Sequence, residues 1–114
     1  MLSRRNRLTG EKNYKRVQKE GKVFQSENFG VAIFDRKDEG PTRVGFIVST
    51  KIAKASVDRG LAKRKMREGV RTSMVYVRPG FDVAFLAKKT ITRVPTDKIM
   101  REVKLALKES GLTE

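Results

Sequence analysis

The chain has 114 residues, of which 38% are hydrophobic, enough for one domain with one modest core. Its 27 Lys plus Arg against 13 Asp plus Glu give a formal charge of +14. That imbalance points to a polyanionic partner, nucleic acid ahead of an anionic membrane surface. There is no cysteine and no histidine, which excludes disulfides, thiolate metal sites and imidazole as base, ligand or nucleophile partner. A metal-dependent nuclease would need clustered carboxylates, and Asp35, Asp38, Glu39, Asp58 and Asp82 make no familiar metal-ligand pattern. Neither a catalytic side chain nor a metal site is therefore expected. No apolar run is long enough to span a bilayer, and the basic N-terminus lacks the apolar centre of a signal peptide. The expectation is a cytoplasmic protein with residues 1–114 as a single domain.

In chain order, "RRNRL" (Arg4 to Leu8) is a basic arm, which reads either as a frayed, solvated end or as extra phosphate contacts. "TGEKNYKRVQKEG" reads as a short helix, with Thr9 as its cap, Glu11 at its positive end and Gly21 as its stop. Tyr14 and Val17 share one of its faces. "KVFQSENFGVAIF" is extended: Phe29, Val31 and Ile33 point one way, and Gly30, Ala32 and Phe34 the other. Ser26 to Asn28 can divide it into two strands. Gly40-Pro41 marks a turn, and "RVGFIVST" is a strand with Val44, Phe46 and Val48 on one side. After Arg78-Pro79-Gly80, "DVAFLA" is a near-continuous apolar strand, as burial on both faces requires. The final helix is amphipathic, with Thr96 as cap, Ile99, Val103, Ala106 and Leu107 in register, and Gly111 as its stop. The elements amount to one mixed sheet with helices against it.

Between the two halves lies "STKIAKASVDRGLAKRKMREGVR", Ser49 to Arg71, with eight Lys or Arg against Asp58 and Glu68. On a helix of roughly 100° per residue, Arg59, Lys63, Arg67 and Arg71 advance in steps of about 40°, and Arg64 falls beside them. Ala62, Met66, Gly69, Val70 and Ser73 take the neighbouring sector and can pack on a sheet. A solvated face normally mixes signs. Here like charges stand four apart and repel one another, which a polyanion would offset. Lys54, in the connection before the helix, adds to the same charge. Among the aromatics, Phe34 and Phe46 read as core. Tyr14 suits a half-wet surface and, with Phe29 or Phe34, could stack on bases.

The order of these pieces resembles the protein subunit of bacterial ribonuclease P over nearly the whole chain. "RNRLTGEKNYKRVQKEGKVF" is similar to the family's opening, "RVGFIVSTKIAKA" to its Gly-hydrophobic-Val-Ser-Lys-Lys segment, and "AKRKMREGVR" to its Lys-Arg-x-x-Arg-Glu helix. One hallmark differs: Arg59-Gly60-Leu61 stands where the family has Arg-Asn-Arg; the family's second lysine after the strand is also absent, Thr50 occupying the place before Lys51. The resemblance implies an α+β fold, a single-domain α/β sandwich of order αβββαβα with a mixed four-stranded sheet, three helices and a left-handed crossover. It also implies a catalytic RNA as the partner and catalyst, with Mg²⁺ held mainly by RNA, and removal of the 5′ leader of precursor tRNA. No small-molecule substrate or membrane is implied.

Residue by residue, the resemblance implies an RNA-subunit surface of Arg59, Lys63, Arg64 and Arg67, to which Lys54 and Arg71 are added from their places in the basic stretch. It implies a leader-binding cleft with Tyr14, Phe29, Ser49 and Lys51, and more weakly Lys88 after the last strand. Gln18 and Ala32 stand where several members have aromatics, so stacking is expected to be weaker here. Arg5 and Arg7 of the arm would add phosphate contacts. The alternative reading is a structural RNA-binding protein of ribosomal type; it shares the salt dependence and lacks the nuclease role.

Overall fold

Residues 2–114 are described by the structure, a computed structural model; Met1, the first residue of the expected domain, lies outside them. The chain runs α1 (Glu11–Glu20), β1 (Lys22–Gln25), β2 (Phe29–Asp35), β3 (Arg43–Ile47), α2 (Ser56–Ser73), β4 (Phe81–Ala87) and α3 (Thr96–Glu109), the αβββαβα order. Short 3₁₀ segments sit at Arg4–Asn6, Met74–Tyr76 and Lys89–Arg93. The strands form one sheet in the order β1-β2-β4-β3, antiparallel except for the parallel β3–β4 pair. This is the expected mixed four-stranded α+β fold. Ser26 to Asn28 does divide the first extended run: Asn28 is held there by Glu102 of α3, whose carboxylate accepts from the Asn28 amide N–H at 2.9 Å, the Asn28 side chain at 2.6 Å and Ser26 Oγ at 2.5 Å.

Strand alternation sorts the side chains into two layers. Phe29, Val31, Ile33, Val44, Val83 and Phe85 point to one face and form the larger core with Ala62, Met66 and Val70 of α2 and Ile99, Val103 and Leu107 of α3. Ala32 and Ala84 point to the other face, where α1 lays Val17 on them. Small residues there let the short helix sit close. At Gly45 of β3, a Cβ would collide with the Tyr14 ring. Phe46 packs against the larger core and stacks on Phe85, 5.6 Å between centroids, whereas Phe34 joins the smaller α1 layer as a half-buried ring.

Three local expectations change. The N-terminal arm is not frayed: it covers the β3 edge, with Leu8 N donating to Val44 O at 3.0 Å, Leu2 buried in the larger core and Leu8 in the smaller one. Two leucines on opposite sheet faces anchor it, and the edge is thereby shielded. α1 is preceded by Gly10 at φ 89°, not by Thr9, whose carbonyl instead accepts from the Asn13 side chain at 2.8 Å. α3 begins after Pro95, with extended φ and ψ, so Thr96 is its first helical residue and makes no side-chain cap.

Candidate nucleic-acid interface

α2 buries Ala62, Met66, Gly69, Val70 and Ser73, the sector its periodicity assigns, and thereby turns its basic side outward. Arg64 is exposed and Lys63 and Arg67 are half-buried. Arg59 folds back: its Nη1 donates to Ala53 O at 3.0 Å and Lys54 O at 2.6 Å, which ties down the loop that presents exposed Lys54. Arg71 departs from the expectation of an unopposed stripe, because Glu68 pairs with it at 2.9 Å. The pair was legible in the sequence, since residues three apart on a helix are neighbours. Lys65, unassigned by its periodicity, is buried and donates to Ile91 O at 3.2 Å and Val94 O at 2.7 Å, closing the 3₁₀ turn before α3. The stripe that faces out is therefore Lys63, Arg64 and Arg67, with Lys54 at its loop end. Gly60 faces open space, where an added Cβ would find nothing within 4 Å, and Leu61 is 48% exposed.

On the opposite face α1 crosses the sheet and leaves the start of β2 and the end of β4 open. The groove so formed, about 340 Å³, is lined by Gln18, Val23, Gly30, Ala32, Leu86 and Lys88 among others. Its floor is flat because Gly30 and Ala32 carry little or no side chain. Lys88 closes its end and donates to Ser26 O at 2.5 Å. A second hollow, about 190 Å³, lies between Tyr14, the arm and α2, and is lined by Arg7, Tyr14, Gly45, Lys63 and Arg67. Tyr14 is half-buried there. Burial raises its pKa above the usual 10.0, and a hydrogen bond with the Phe46 backbone offsets this only in part. The phenol is thus neutral at physiological pH. Ser49 and Lys51 are exposed in the turn after β3, where Ser49 O accepts from Ile52 N at 3.0 Å.

Phe29 requires correction as a cleft residue. It is fully buried in the α2–α3 core and packs on Phe85 at 5.4 Å. Its parity along β2 points it away from α1, the face that Gly30 and Ala32 share. Arg5 and Arg7 are both exposed, but Arg7 borders the Tyr14 hollow whereas Arg5 borders a different one, about 450 Å³, with Arg16, Arg36 and Arg43. That hollow was not foreseen. At its base Asp82, with no exposed surface, accepts from Arg16 Nη2 at 2.8 Å, Arg36 Nη1 at 2.6 Å, and Arg43 Nε and Nη2 at 2.8 and 2.7 Å. Burial by itself would raise the Asp82 pKa, but the hydrogen bonds from Arg43, Arg36 and Arg16 outweigh it and hold the carboxyl below its ordinary range. Among the described residues no group of three or more carboxylates could hold a metal ion, and no helix is long and apolar enough to cross a membrane.

Fold and surface define a small, strongly basic α+β protein that offers a polyanion a cationic helix on one side of its sheet and a groove on the other. The chain belongs to the Ribonuclease P family, whose model matches residues 2–111. It is 36% identical over 83 residues to the ribonuclease P protein component of Finegoldia magna, covering 73% of this chain and 71% of that one. The RNase P protein of Thermotoga maritima superposes with a TM-score of 0.79 at 28% identity, covering 92% and 97% of the two chains. That of Staphylococcus aureus has the same fold, with a TM-score of 0.86 at 22% identity and coverage of 96% and 98%. The protein is thus a protein subunit of bacterial ribonuclease P, an RNA-binding component of a ribonucleoprotein with a role in tRNA processing. Its partner is the RNA of that enzyme.

Proposed function

We propose that residues 1–114 act as one RNA-binding unit with two contacts: a helix that docks on the catalytic RNA and a groove that receives the 5′ leader of precursor tRNA. The observation that carries this reading is the packing of α2, with Lys63, Arg64 and Arg67, on one face of the sheet and of α1, beside the Gln18–Leu86–Lys88 groove, on the other, with Tyr14 at the border in a hollow it shares with Lys63 and Arg67. Lys63, Arg64, Arg67, Lys54 and the outer donors of Arg59 would neutralise phosphates of the catalytic RNA. Lys88 would hold the leader in the groove, Tyr14 in the adjoining hollow and Ser49 and Lys51 from the turn after β3 would extend that contact, and Arg7 would bridge the two contacts from the arm. Phosphates recruited by the protein would bring Mg²⁺ with the RNA, so the hydrolytic metal would be held mainly by RNA. Such work belongs in the cytoplasm, where precursor tRNA is made and processed.

Reconstitution tests this. The protein is mixed with a bacterial-type catalytic RNA and 5′-labelled precursor tRNA at low Mg²⁺, beside protein-only and RNA-only controls. Cleavage at the mature 5′ end in the mixture alone is the expected result. Salt-sensitive RNA binding without stimulated cleavage would favour a purely structural RNA-binding role.

A further inference from the structure

The arginines around Asp82 form a cluster that neither proposed contact uses. Four guanidinium groups, Arg5, Arg16, Arg36 and Arg43, line one hollow with the Asp38 carboxylate, and the buried Asp82 carboxylate pairs with three of them from beneath. Four positive charges less two negative leave an excess of two. Arg36 is fully committed: its nitrogens donate to Asp38, Asp82, Phe81 O and Pro41 O. Arg43 gives only Nε and Nη2 to Asp82. The Arg16 side chain retains 37% exposure and that of Arg43 32%. Arg16 is held between Asp82 and the Phe34 ring, with its guanidinium carbon 4.8 Å from the ring centroid. Its Nε is buried and has no hydrogen-bond partner among the described residues.

A buried carboxylate needs one cation to compensate it, and this one gathers three. The surplus is costly in isolation, since like charges are held close together in a partly desolvated site. An anion at the mouth would offset the cost. Arg16 and Arg43 are already fixed by Asp82 and Phe34, so little of their side-chain entropy remains to be lost on binding. Guanidinium groups in fixed orientation suit a tetrahedral oxyanion. Asp82 and Lys88 stand at opposite ends of β4, about 20 Å apart over six residues at ~3.3 Å each. The cluster is therefore remote from the groove end that Lys88 closes.

We propose that Arg5, Arg16 and Arg43 form a phosphate-binding site, organised by Asp82 and Arg36, that takes a phosphodiester of RNA on the flank of α1 away from the groove. The anion is bound by Arg43 Nη1, the exposed part of Arg16 and the exposed Arg5 side chain, and it neutralises the excess charge. The site adds a third RNA contact to the reading above and rests on it only for the identity of the phosphate donor.

Inorganic phosphate is titrated into the full-length protein while arginine side-chain Nε–Hε signals are followed by NMR at constant ionic strength. Saturable shifts of Arg16 and Arg43, with Arg101 on α3 moving only linearly, are expected. Arg5→Ala, which leaves the Asp82 ion pairs intact, should raise the midpoint about fivefold or more. Linear shifts at all arginines alike would mean counterion screening and would overturn the site. Binding of Arg5→Ala and Arg43→Lys to catalytic RNA and to precursor tRNA is then measured separately across a salt series. A fall of about one in the salt slope for one of the two RNAs identifies the donor. An unchanged slope for both would overturn the RNA assignment and leave free phosphate as the ligand. Failure of reconstituted cleavage with saturable phosphate binding intact would count against the proposed function and not against this site.

Discussion

Asp82 shows how much one side chain can organise. It is wholly buried near the start of β4, and Arg16, Arg36 and Arg43 reach it from three different places in the chain. Removal of a member of a buried ion pair typically costs about 3–5 kcal/mol; here about 2–4 is expected for Asp82→Asn at pH 7, because Arg16 and Arg43 keep some water. Its folded pKa lies below the ordinary 3.8, so the carboxylate contributes stability that is present above about pH 4 and lost as pH falls through the folded value. Urea unfolding of wild type and Asp82→Asn should therefore give a gap that is full at neutral pH and closes in acid. A constant gap from pH 7 to pH 2 would show that packing, not charge, sets it. Tyr14 works differently: its ring fills the space over Gly45 while its neutral hydroxyl reaches the Phe46 backbone. Tyr14→Ala should cost about 1–3 kcal/mol of leader affinity through lost stacking, with little change in affinity for the catalytic RNA. Fluorescence titrations with leader-bearing and leaderless precursor tRNA measure the first quantity, and equal weakening toward both RNAs would refute the division into two surfaces.

At the scale of an element, α2 carries two glycines that differ in what surrounds them. A Cβ at Gly69 would stand 2.8 Å from Val103 Cβ, because α2 and α3 cross there at close range. At Gly60 a Cβ would meet nothing. Alanine is favoured over glycine in a helix interior by about 1 kcal/mol, so Gly60→Ala should raise stability by about that amount. Gly69→Ala should lower it, since overpacking of a core typically costs about 1–3 kcal/mol. Thermal melts of the two variants should move in opposite directions. A shared direction would mean that propensity, not the α2–α3 contact, dominates. The N-terminal arm belongs to the same scale: it is held by Leu2 and Leu8 and brings Arg5 and Arg7 to fixed places rather than to a frayed end.

Across the whole molecule, the charge is arranged rather than spread. In the proposed function α2 would face one partner with Lys63, Arg64 and Arg67, on the sheet face opposite the one that carries α1 and its groove. Replacement of all three by alanine should lower the slope of log affinity against log salt by about three for the catalytic RNA. Filter binding between low and physiological salt measures this. A slope unchanged from wild type would place the RNA contact elsewhere. The same exchange at Arg71 should alter the slope less, because Glu68 already neutralises it.

Much of this arrangement follows from local pattern. Period-two alternation in "FGVAIF" assigned Phe29, Val31 and Ile33 to one face of β2, and period 3.6 in α2 assigned the buried Ala62, Met66, Gly69 and Val70. The outward stripe follows from that same helical period, since whichever side packs, the other is exposed. Local pattern cannot say which sheet face meets which helix. For that reason Phe29 looked available for stacking, whereas the α2–α3 core covers it completely. Contacts between distant positions were equally illegible: Asp82 with residues 16, 36 and 43, Lys65 with the carbonyls of Ile91 and Val94, Glu102 with the β1–β2 turn. A polar side chain in a one-dimensional sequence shows its charge but not its partner. Periodicity is a property of the backbone and is written in every few residues; pairing between positions far apart in the sequence exists only once the chain has closed.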